Sequence, residues 1–151
     1  VTRPNQFTEK DYTCWTVTSR PQPYLNRLYG TWYEVRDEHN RKRVPDDFRL
    51  DYTALLHWYW GDGNCSIRDR GAPRVSFATH GFAESGVQHL QFELDEMGYD
   101  NYAVEQQAGI DDGSGLYIRL RDYDARTFLD DIRRVNTLPQ YDRKFPVPIE
   151  G

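Results

Sequence analysis

The sequence is poor in cysteine, in long apolar runs and in positive charge, and each shortage argues against a class of protein. Its cysteines, Cys14 and Cys65, form no Cys-x-x-Cys pair, which argues against a zinc ribbon or a dithiol redox site. No apolar run is long enough to span a membrane. With 19 Lys and Arg against 24 Asp and Glu, the net charge is −5. On this balance we expect neither nucleic acid nor an anionic membrane as a partner.

Aromatic residues are abundant, with 11 Tyr, 7 Phe and 4 Trp among 151 residues. Bulky flat side chains favour strands over helices, so the composition predicts a mostly-β protein. The length fits a single domain that comprises residues 1–151. Residues 1–27 are polar and interrupted by Pro4, Pro21 and Pro23, and we expect them to form an N-terminal arm laid across the domain.

Segments typical of strands recur along the chain, separated by turn residues. Gly61-Asp62-Gly63-Asn64 predicts a hairpin turn, and Cys65 opens the strand that follows it. Turn signals at this frequency predict a meander that closes as a barrel or a sandwich. The other predicted strands cover residues 29–37, 48–60, 74–80, 88–95, 100–107 and 115–121.

The pattern changes after Arg121. In residues 122–136 the apolar side chains Phe128, Leu129, Ile132 and Val135 have the spacing of one helical face. This spacing predicts an amphipathic helix, and a helix that follows a set of strands must bury its apolar face against the sheet. Residues 137–151 contain several prolines and predict an extended tail.

Three segments, in order along the chain, resemble the signature motifs of the lipocalins. Gly30-Thr31-Trp32-Tyr33 is similar to the Gly-x-Trp-Tyr motif that opens their first strand. The segment from Gly98 to Val104 is similar to their second motif. The segment from Tyr117 to Arg121 is similar to the third motif, in which an arginine lies across the tryptophan of the first strand. The resemblance therefore makes Gly30, Trp32 and Arg121 structural signature residues, with Arg121 over Trp32.

The resemblance implies an all-β fold, an eight-stranded up-and-down antiparallel β-barrel with one C-terminal α-helix packed outside. Residues 28–121 would supply the barrel strands, 122–136 the helix and 137–151 the extended tail. Cys14 is similar in position to an N-terminal half-cystine of several lipocalins. Here either Cys14 and Cys65 form a disulfide or both thiols are free.

The function that the resemblance implies is that of a secreted, extracellular carrier with one small hydrophobic or amphipathic molecule inside the barrel. The ligand classes are a lipid, a retinoid-like acid, a bilin or other pigment, and a signalling molecule. Alternation from the signature residues places apolar and charged side chains in the cavity, the charged ones either paired with each other or receiving an acidic group of the ligand. The expected ligand-binding residues are Glu34, Arg36, Tyr52, Leu56, Trp58, Trp60, Phe77, Tyr102, Tyr117 and Arg119. We expect no required cofactor other than such a ligand or chromophore, no metal site and no catalytic residue.

Two other functions stay open at this point. A lipocalin-type enzyme similar to prostaglandin D synthase would use Cys65 as a thiolate nucleophile, which requires a lowered thiol pKa. That role is excluded if Cys65 is bonded to Cys14. A structural or interaction protein would instead assemble through its aromatic outer surface, and a homo-oligomer is compatible with this alternative and with the carrier.

Overall fold

The structure is a computed structural model, and it describes residues 2–4, 11–13, 18, 20–34, 40–68, 71–105 and 113–145. In the N-terminal part, two short antiparallel strand pairs flank one helix. These elements are β1 (Thr2–Pro4), β2 (Asp11–Thr13), α1 (Pro23–Trp32), β3 (Tyr33–Glu34) and β4 (Arg41–Lys42). The remainder alternates helices with strand pairs: α2 (Tyr52–Asp62), β5 (Gly63–Ile67), β6 (Pro73–Phe77), α3 (Glu84–Glu96), β7 (Asn101–Glu105), β8 (Leu116–Leu120), α4 (Asp122–Val135) and a 3-10 helix (Pro139–Lys144).

Strands β5 to β8 form one antiparallel sheet in the order β5-β6-β8-β7. Strands β5 and β6 form a hairpin in which Cys65 lies opposite Val75. In the second strand pair, Ala103 of β7 lies opposite Ile118 of β8. The two pairs meet where Phe77 of β6 lies opposite Ile118 of β8. This register gives the sheet one face lined by Val75, Phe77 and Ile118, whose side chains are fully buried.

Helices α2, α3 and α4 cover that apolar face and form one core with it. The buried positions of α3 follow helical spacing, as do those of α4, so each helix presents one apolar stripe to the sheet. Burial of each large apolar side chain contributes roughly 1.5–3 kcal/mol to folding. The fully buried members are Leu55, Tyr59, Val75, Phe77, Val87, Leu94, Ile118, Leu120, Phe128 and Ile132.

Helix α2 occupies the segment in which the apolar alternation predicts a strand, and that prediction is wrong. The Asp51 side chain accepts a hydrogen bond from the Ala54 backbone N–H at 2.7 Å, which is an N-cap and starts the helix. Because nearly every following residue is apolar, the segment shows neither the period of a strand nor that of a helix. The buried residues are Leu55, Leu56, Tyr59 and Trp60, whose spacing fits one side of a helix.

Two further predicted strands are helices. Residues 88–95 lie in α3, where Leu90 and Leu94 are buried but Phe92, which alternates with them in the sequence, is exposed. Residues 29–32 lie in α1, which begins with Pro23 at a position where its fixed φ favours a helix. The interruption expected from Pro23 is therefore a helix start, and it falls within the predicted arm 1–27.

These helices overturn the predicted fold class. Across the described ranges the strands form one four-stranded sheet and two short pairs, and they do not close into an eight-stranded barrel. Strands β7 and β8 fall within predicted strand segments, β6 begins one residue before the predicted segment 74–80, and α4 occupies almost the whole predicted helix 122–136. The tail predicted as extended contains the 3-10 helix, while residues 146–151 lie outside the described part. No helix within the described ranges is long and apolar enough to cross a membrane.

Gly63 makes the junction between α2 and β5 possible. A Cβ at this position would lie 2.2 Å from Tyr59 Cδ2 and 2.5 Å from the Tyr59 carbonyl oxygen, whereas a Cβ on Gly61 meets nothing within 4 Å. We expect Gly63→Ala to lower the free energy of unfolding by about 1–3 kcal/mol, because the backbone must shift to admit the methyl group. The matched variant Gly61→Ala should leave it unchanged or raise it by up to about 1 kcal/mol. Urea unfolding of both variants checks this, and equal effects would contradict the packing argument.

Cys65 is a free cysteine in this structure, half-buried on the helix-covered side of the sheet. Burial raises the pKa of its thiol, so less thiolate is present at neutral pH than in the unfolded chain. We expect iodoacetamide to label Cys65 at least about tenfold more slowly in the folded protein than in guanidinium chloride. Peptide-resolved mass spectrometry measures this, and similar labelling rates in both states would show that the thiol is accessible.

Candidate functional site

The sheet face opposite the helices carries polar side chains, and we call it the open face. It is formed by Asn64 and Ser66 of β5, Arg74 and Ser76 of β6, Tyr102 of β7, and Tyr117 and Arg119 of β8. Along β6 and β8 these residues alternate with the buried core residues. Because strand side chains alternate between faces, the residues that build the core also fix which polar residues share this surface.

Four residues of the open face lie in register across the whole sheet. Asn64 lies opposite Ser76, Ser76 opposite Arg119, and Arg119 opposite Tyr102. Adjacent strands are about 4.8 Å apart, so this row spans roughly 14 Å. It presents an amide, two hydroxyl groups and a guanidinium to the same side, all of them hydrogen-bonding groups.

Arg119 at the centre of the sheet is held by two tyrosines. Its guanidinium donates a hydrogen bond to the Tyr117 hydroxyl and another to the Tyr102 hydroxyl at 3.5 Å, and it lies 5.2 Å from the Tyr117 ring centre. The hydrogen bond with Tyr102 raises the pKa of Arg119, so the residue is a permanent cation. Arg121 lies over the ring of Tyr102 in the same cluster, 4.7 Å from the ring centre. The tyrosines therefore orient two guanidinium groups without neutralising them.

A groove of about 870 Å³ runs along the open face. A second cavity of about 370 Å³ shares Arg74 and Arg119 with it and adds Arg68 and Arg121. Arg68 forms an ion pair with Asp122 at 2.5 Å. In the part of the chain that the structure describes, no carboxylate lies within ion-pair distance of Arg74, Arg119 or Arg121. Across the two cavities, four arginines stand against the carboxylates of Asp62, Glu105 and Asp122, so the lining has a small positive excess although the chain as a whole is negative.

Asp62 lines the same groove, at its α2 end. It is the last residue of α2 and is exposed, and its backbone carbonyl accepts a hydrogen bond from the Ala78 N–H at 3.0 Å. This bond ties the end of the helix to the end of β6, from which Ser76, Ala78 and His80 also line the groove. The groove therefore combines a carboxylate at a fixed helix end with arginines on the neighbouring strands.

The structure brings together only some of the residues expected to bind a ligand. Tyr102, Tyr117 and Arg119 share the open face, as described. Leu56 and Trp60 are buried in the helix-covered core, and Trp58 stacks on Phe77 at a centroid distance of 4.3 Å. Because a helix replaces the predicted strand, these apolar residues fill the core and line no barrel cavity. Tyr52 is 45% exposed at the start of α2.

The predicted lipocalin signature residues do not form their expected contact. Gly30 and Trp32 lie in α1, where Trp32 packs edge-on against Phe48 at 5.2 Å. Arg121 lies over Tyr102, and the prediction that it lies over Trp32 is wrong. Glu34 is exposed on β3, and Arg36 lies outside the described residues. Cys14 also lies outside them. Cys65 is a free cysteine, so the structure gives no support to the predicted disulfide between Cys14 and Cys65.

Sequence reasoning missed Asp62 and most of the polar residues beside it. The sequence predicts a hairpin turn at Gly61-Asp62-Gly63-Asn64, whereas Asp62 ends a helix and Gly63 begins a strand. The signal that could have found the site is the alternation of polar and apolar residues along 73–77 and 116–120, which predicts one apolar and one polar sheet face. The missed residues are Asp62, Asn64, Ser66, Arg68, Arg74, Ser76 and His80.

The fold has a counterpart among solved structures. The structure of the homing endonuclease I-WcaI bound to its DNA recognition sequence matches with a TM-score of 0.75 at 14% sequence identity. The match covers 99% of this chain and 63% of that chain, so the present chain spans less than two thirds of its relative. A comparison with curated proteins finds no match.

A sequence model of the LAGLIDADG DNA endonuclease family matches residues 1–126. This match overturns the lipocalin resemblance and the functions derived from it, namely the ligand carrier, the Cys65-dependent enzyme and the structural protein. The expectation of no nucleic-acid partner is wrong as well, because the family acts on DNA. Secretion is not tested by these findings and stays a prediction. Since the match covers most of the sequence, the chain belongs to the LAGLIDADG DNA endonuclease family.

Proposed function

We propose that this chain binds duplex DNA along the open face of its sheet and takes part in hydrolysing a phosphodiester bond at the Asp62 end of the groove. The observation that carries the proposal is the shared groove, which holds Arg74, Arg119 and Asp62 together. Membership of a DNA endonuclease family supports it, as does the fold shared with a DNA-bound homing endonuclease.

The chemistry of the open face suits a duplex. Arginine side chains neutralise backbone phosphates and release the counterions bound to them, which supplies much of the affinity of protein–DNA complexes. Asparagine, serine and arginine side chains also match the hydrogen-bonding edges of bases in the major groove, which is wide enough to admit a two-stranded β-ribbon. The hairpin of β5 and β6 presents Asn64, Ser66, Arg74 and Ser76 on one side. It therefore carries both kinds of contact, to the backbone and to base edges.

The position of Asp62 at the end of the groove supports a role in cleavage. A carboxylate can accept a proton from an attacking water, and a nearby guanidinium can stabilise the charge that develops on the phosphate oxygens. Written as one-letter codes, the family's name is itself a short sequence that ends in Asp-Gly. When that ending is aligned with Asp62 and Gly63, its first residue, leucine, falls on Leu55. The agreement at Leu55, Asp62 and Gly63 supports assigning the family's eponymous segment to α2 and the groove end.

Metal ions assist phosphodiester hydrolysis in many nucleases. Within the described ranges, no group of three or more His, Cys, Asp or Glu side chains is arranged to hold one. Asp62 supplies a single carboxylate at the groove end, which does not by itself constitute a metal site. The steps assigned above therefore use only the side chains of this chain.

Removing two groove arginines should weaken DNA binding without unfolding the protein. We expect Arg74→Ala combined with Arg119→Ala to reduce affinity for a fluorescein-labelled mixed-sequence duplex by at least about tenfold. Because log affinity falls as log salt rises, the loss of phosphate contacts should also make this negative slope less steep, by roughly one to two. The control is Arg126→Ala, which removes an arginine that is exposed on α4 and does not line the groove. Fluorescence anisotropy at several salt concentrations measures both quantities. If the control and the groove variant lose affinity equally, the open face is not the binding surface.

Asp62→Asn should separate cleavage from binding. We expect this variant to bind the same duplex within about threefold of the original protein, because the groove keeps its arginines, and to lose cleavage by about a hundredfold or more. Conversion of a supercoiled plasmid pool with random inserts to nicked or linear DNA, with and without a divalent cation, measures cleavage. Asp130→Asn on the exposed side of α4 is the control. Unchanged cleavage by Asp62→Asn would remove Asp62 from the chemistry.

A further inference from the structure

Residues 44–50, which we call the strap, connect β4 to α2 and lie against α3. Val44 and Pro45, at the start of the strap, are buried. A Cβ on Gly86 of α3 would lie 3.3 Å from Val44 Cγ2, so the strap and the helix are in close contact. The residue after the strap is Asp51, the N-cap of α2. The attachment of the strap to α3 therefore sets the position at which α2 starts.

The strap is attached to α3 through the carboxylate of Glu93. Glu93 is only 4% exposed, and its Oε2 accepts a hydrogen bond from the Leu50 backbone N–H at 2.8 Å. The other carboxylate oxygen, Oε1, is buried and has no hydrogen-bond donor among the described residues. Because a buried charged oxygen without a donor is destabilising, a further donor at Oε1 would strengthen the attachment.

Two basic side chains lie near Oε1 of Glu93. Arg49 Nη1 is 3.5 Å from it, and His89 Nε2 is 3.6 Å from it. The Arg49 side chain is 70% exposed and also donates a hydrogen bond to the Phe48 carbonyl at 2.6 Å, so water screens much of its charge. Arginine keeps its charge at every physiological pH. Arg49 therefore gives the strap no dependence on pH.

His89 differs from Arg49 because a histidine changes its charge between about pH 5 and 8. It precedes Glu93 by one helical turn, and the Phe48 ring of the strap packs edge-on against its imidazole at a centroid distance of 6.4 Å. At 3.6 Å, Nε2 lies just beyond hydrogen-bond distance of Oε1. Protonation adds a positive charge and gives both ring nitrogens a hydrogen, so a small movement of the side chain completes the contact.

The other neighbours of this pair are mostly apolar. Towards the sheet, α3 buries Val87, Leu90 and Leu94. On the other side, Trp32 of α1 packs against the strap at Phe48. A further titratable group of α3 is Asp95, which accepts a hydrogen bond from the Asn101 side chain of β7 at 2.8 Å and whose pKa is raised by burial. Its titration has to be distinguished from that of His89 by substitution.

We propose that His89 and Glu93 form a pH-sensitive fastening for the strap, in which protonated His89 pairs with Glu93 and holds residues 48–50 against α3. This ion pair stabilises the fold at about pH 5.5, where an imidazole is protonated and a carboxylate is ionised. The stabilisation is lost at about pH 8, where the imidazole is neutral. The fastening does not depend on the proposed role of the open face, because none of its residues lines the groove.

The Leu50 amide reports the fastening directly, because its hydrogen bond ends on Glu93. We expect the protection factor of this amide, which corrects for the intrinsic pH dependence of exchange, to be at least about fivefold higher at about pH 5.5 than at about pH 8. Hydrogen exchange of the isotope-labelled chain, followed by NMR, measures it. An equal protection factor at both pH values would overturn the proposal.

Two substitutions identify the groups that are responsible. His89→Gln carries an amide donor that does not titrate, and Glu93→Gln keeps an oxygen for the Leu50 N–H but removes the charge. We expect both variants to lose the pH response, with Leu50 protection factors within about twofold of each other at the two pH values. The matched control is His57→Gln, which removes an exposed histidine of α2 and should keep the response in full. Thermal unfolding of each variant at both pH values confirms that folded proteins are compared.

Each outcome with the variants decides for or against the fastening. If His89→Gln keeps the pH response, another group such as Asp95 is responsible and the proposal is wrong. If Glu93→Gln keeps it, His89 acts on the strap without the carboxylate and the proposal is again wrong. If His57→Gln abolishes the response as well, the response is not specific to the His89–Glu93 pair, which also contradicts the proposal. Loss of the response in the first two variants, with its retention in His57→Gln, supports it.

Discussion

The packing of Tyr59 is the interaction on which the arrangement of the molecule depends. Its ring is fully buried and contacts Phe77 of the sheet, Phe128 of α4 and Phe145 after the 3-10 helix, at centroid distances of 6.1, 5.3 and 5.6 Å. Its hydroxyl bonds to the Lys144 carbonyl, so burial leaves no unpaired donor. One side chain thus joins four parts of the chain. Because Tyr59 lies one turn before Asp62, the same contacts set where the helix ends above the groove.

Because side chains along each strand alternate between the two faces of the sheet, the residues that form the core also determine which residues form the outer surface. Val75 and Phe77 belong to the core, so Arg74 and Ser76 must face the other way. Both arginines that face outward near the centre of the sheet, Arg74 and Arg119, are there as a consequence of the core register. The net charge of −5 gives no indication of this, because the acidic residues elsewhere outweigh a local cluster. For nucleic-acid binding, the distribution of charge decides and the total does not.

The sequence predicts an element correctly where apolar and polar residues alternate with a regular period. The prediction fails where nearly every residue is apolar or where the spacing fits both a strand and a helix. The helix over 122–136 is foreseen because its apolar residues are separated by charges, and α4 occupies this segment. In segment 52–62 nearly every residue is apolar, so the sequence fits the alternation of a strand as well as the spacing of a helix. Only the N-cap at Asp51 distinguishes a helix from a strand here. In α3, Phe92 is exposed and completes a false alternation with Leu90 and Leu94. In the site, the sequence predicts that Tyr102, Tyr117 and Arg119 share one face of the strands. It does not predict the helix-covered core on the other face, which decides that these three side chains point outward.

The junction after α2 departs from several rules of stable folds at once, which is itself an argument for function. A carboxylate occupies the helix end that disfavours anions, the last turn lacks a cation, and the next residue must be glycine because Tyr59 leaves no room for a Cβ. The missing cation is replaced by Lys144, which donates to the Tyr59 and Gly63 carbonyls, and the Ala78 N–H bonds to the Asp62 carbonyl. Sequences selected for stability alone would place Asp62 elsewhere. Local rules that are broken and then compensated are typical of functional positions, and here that position opens onto the groove that Asp62 lines together with Arg74 and Arg119.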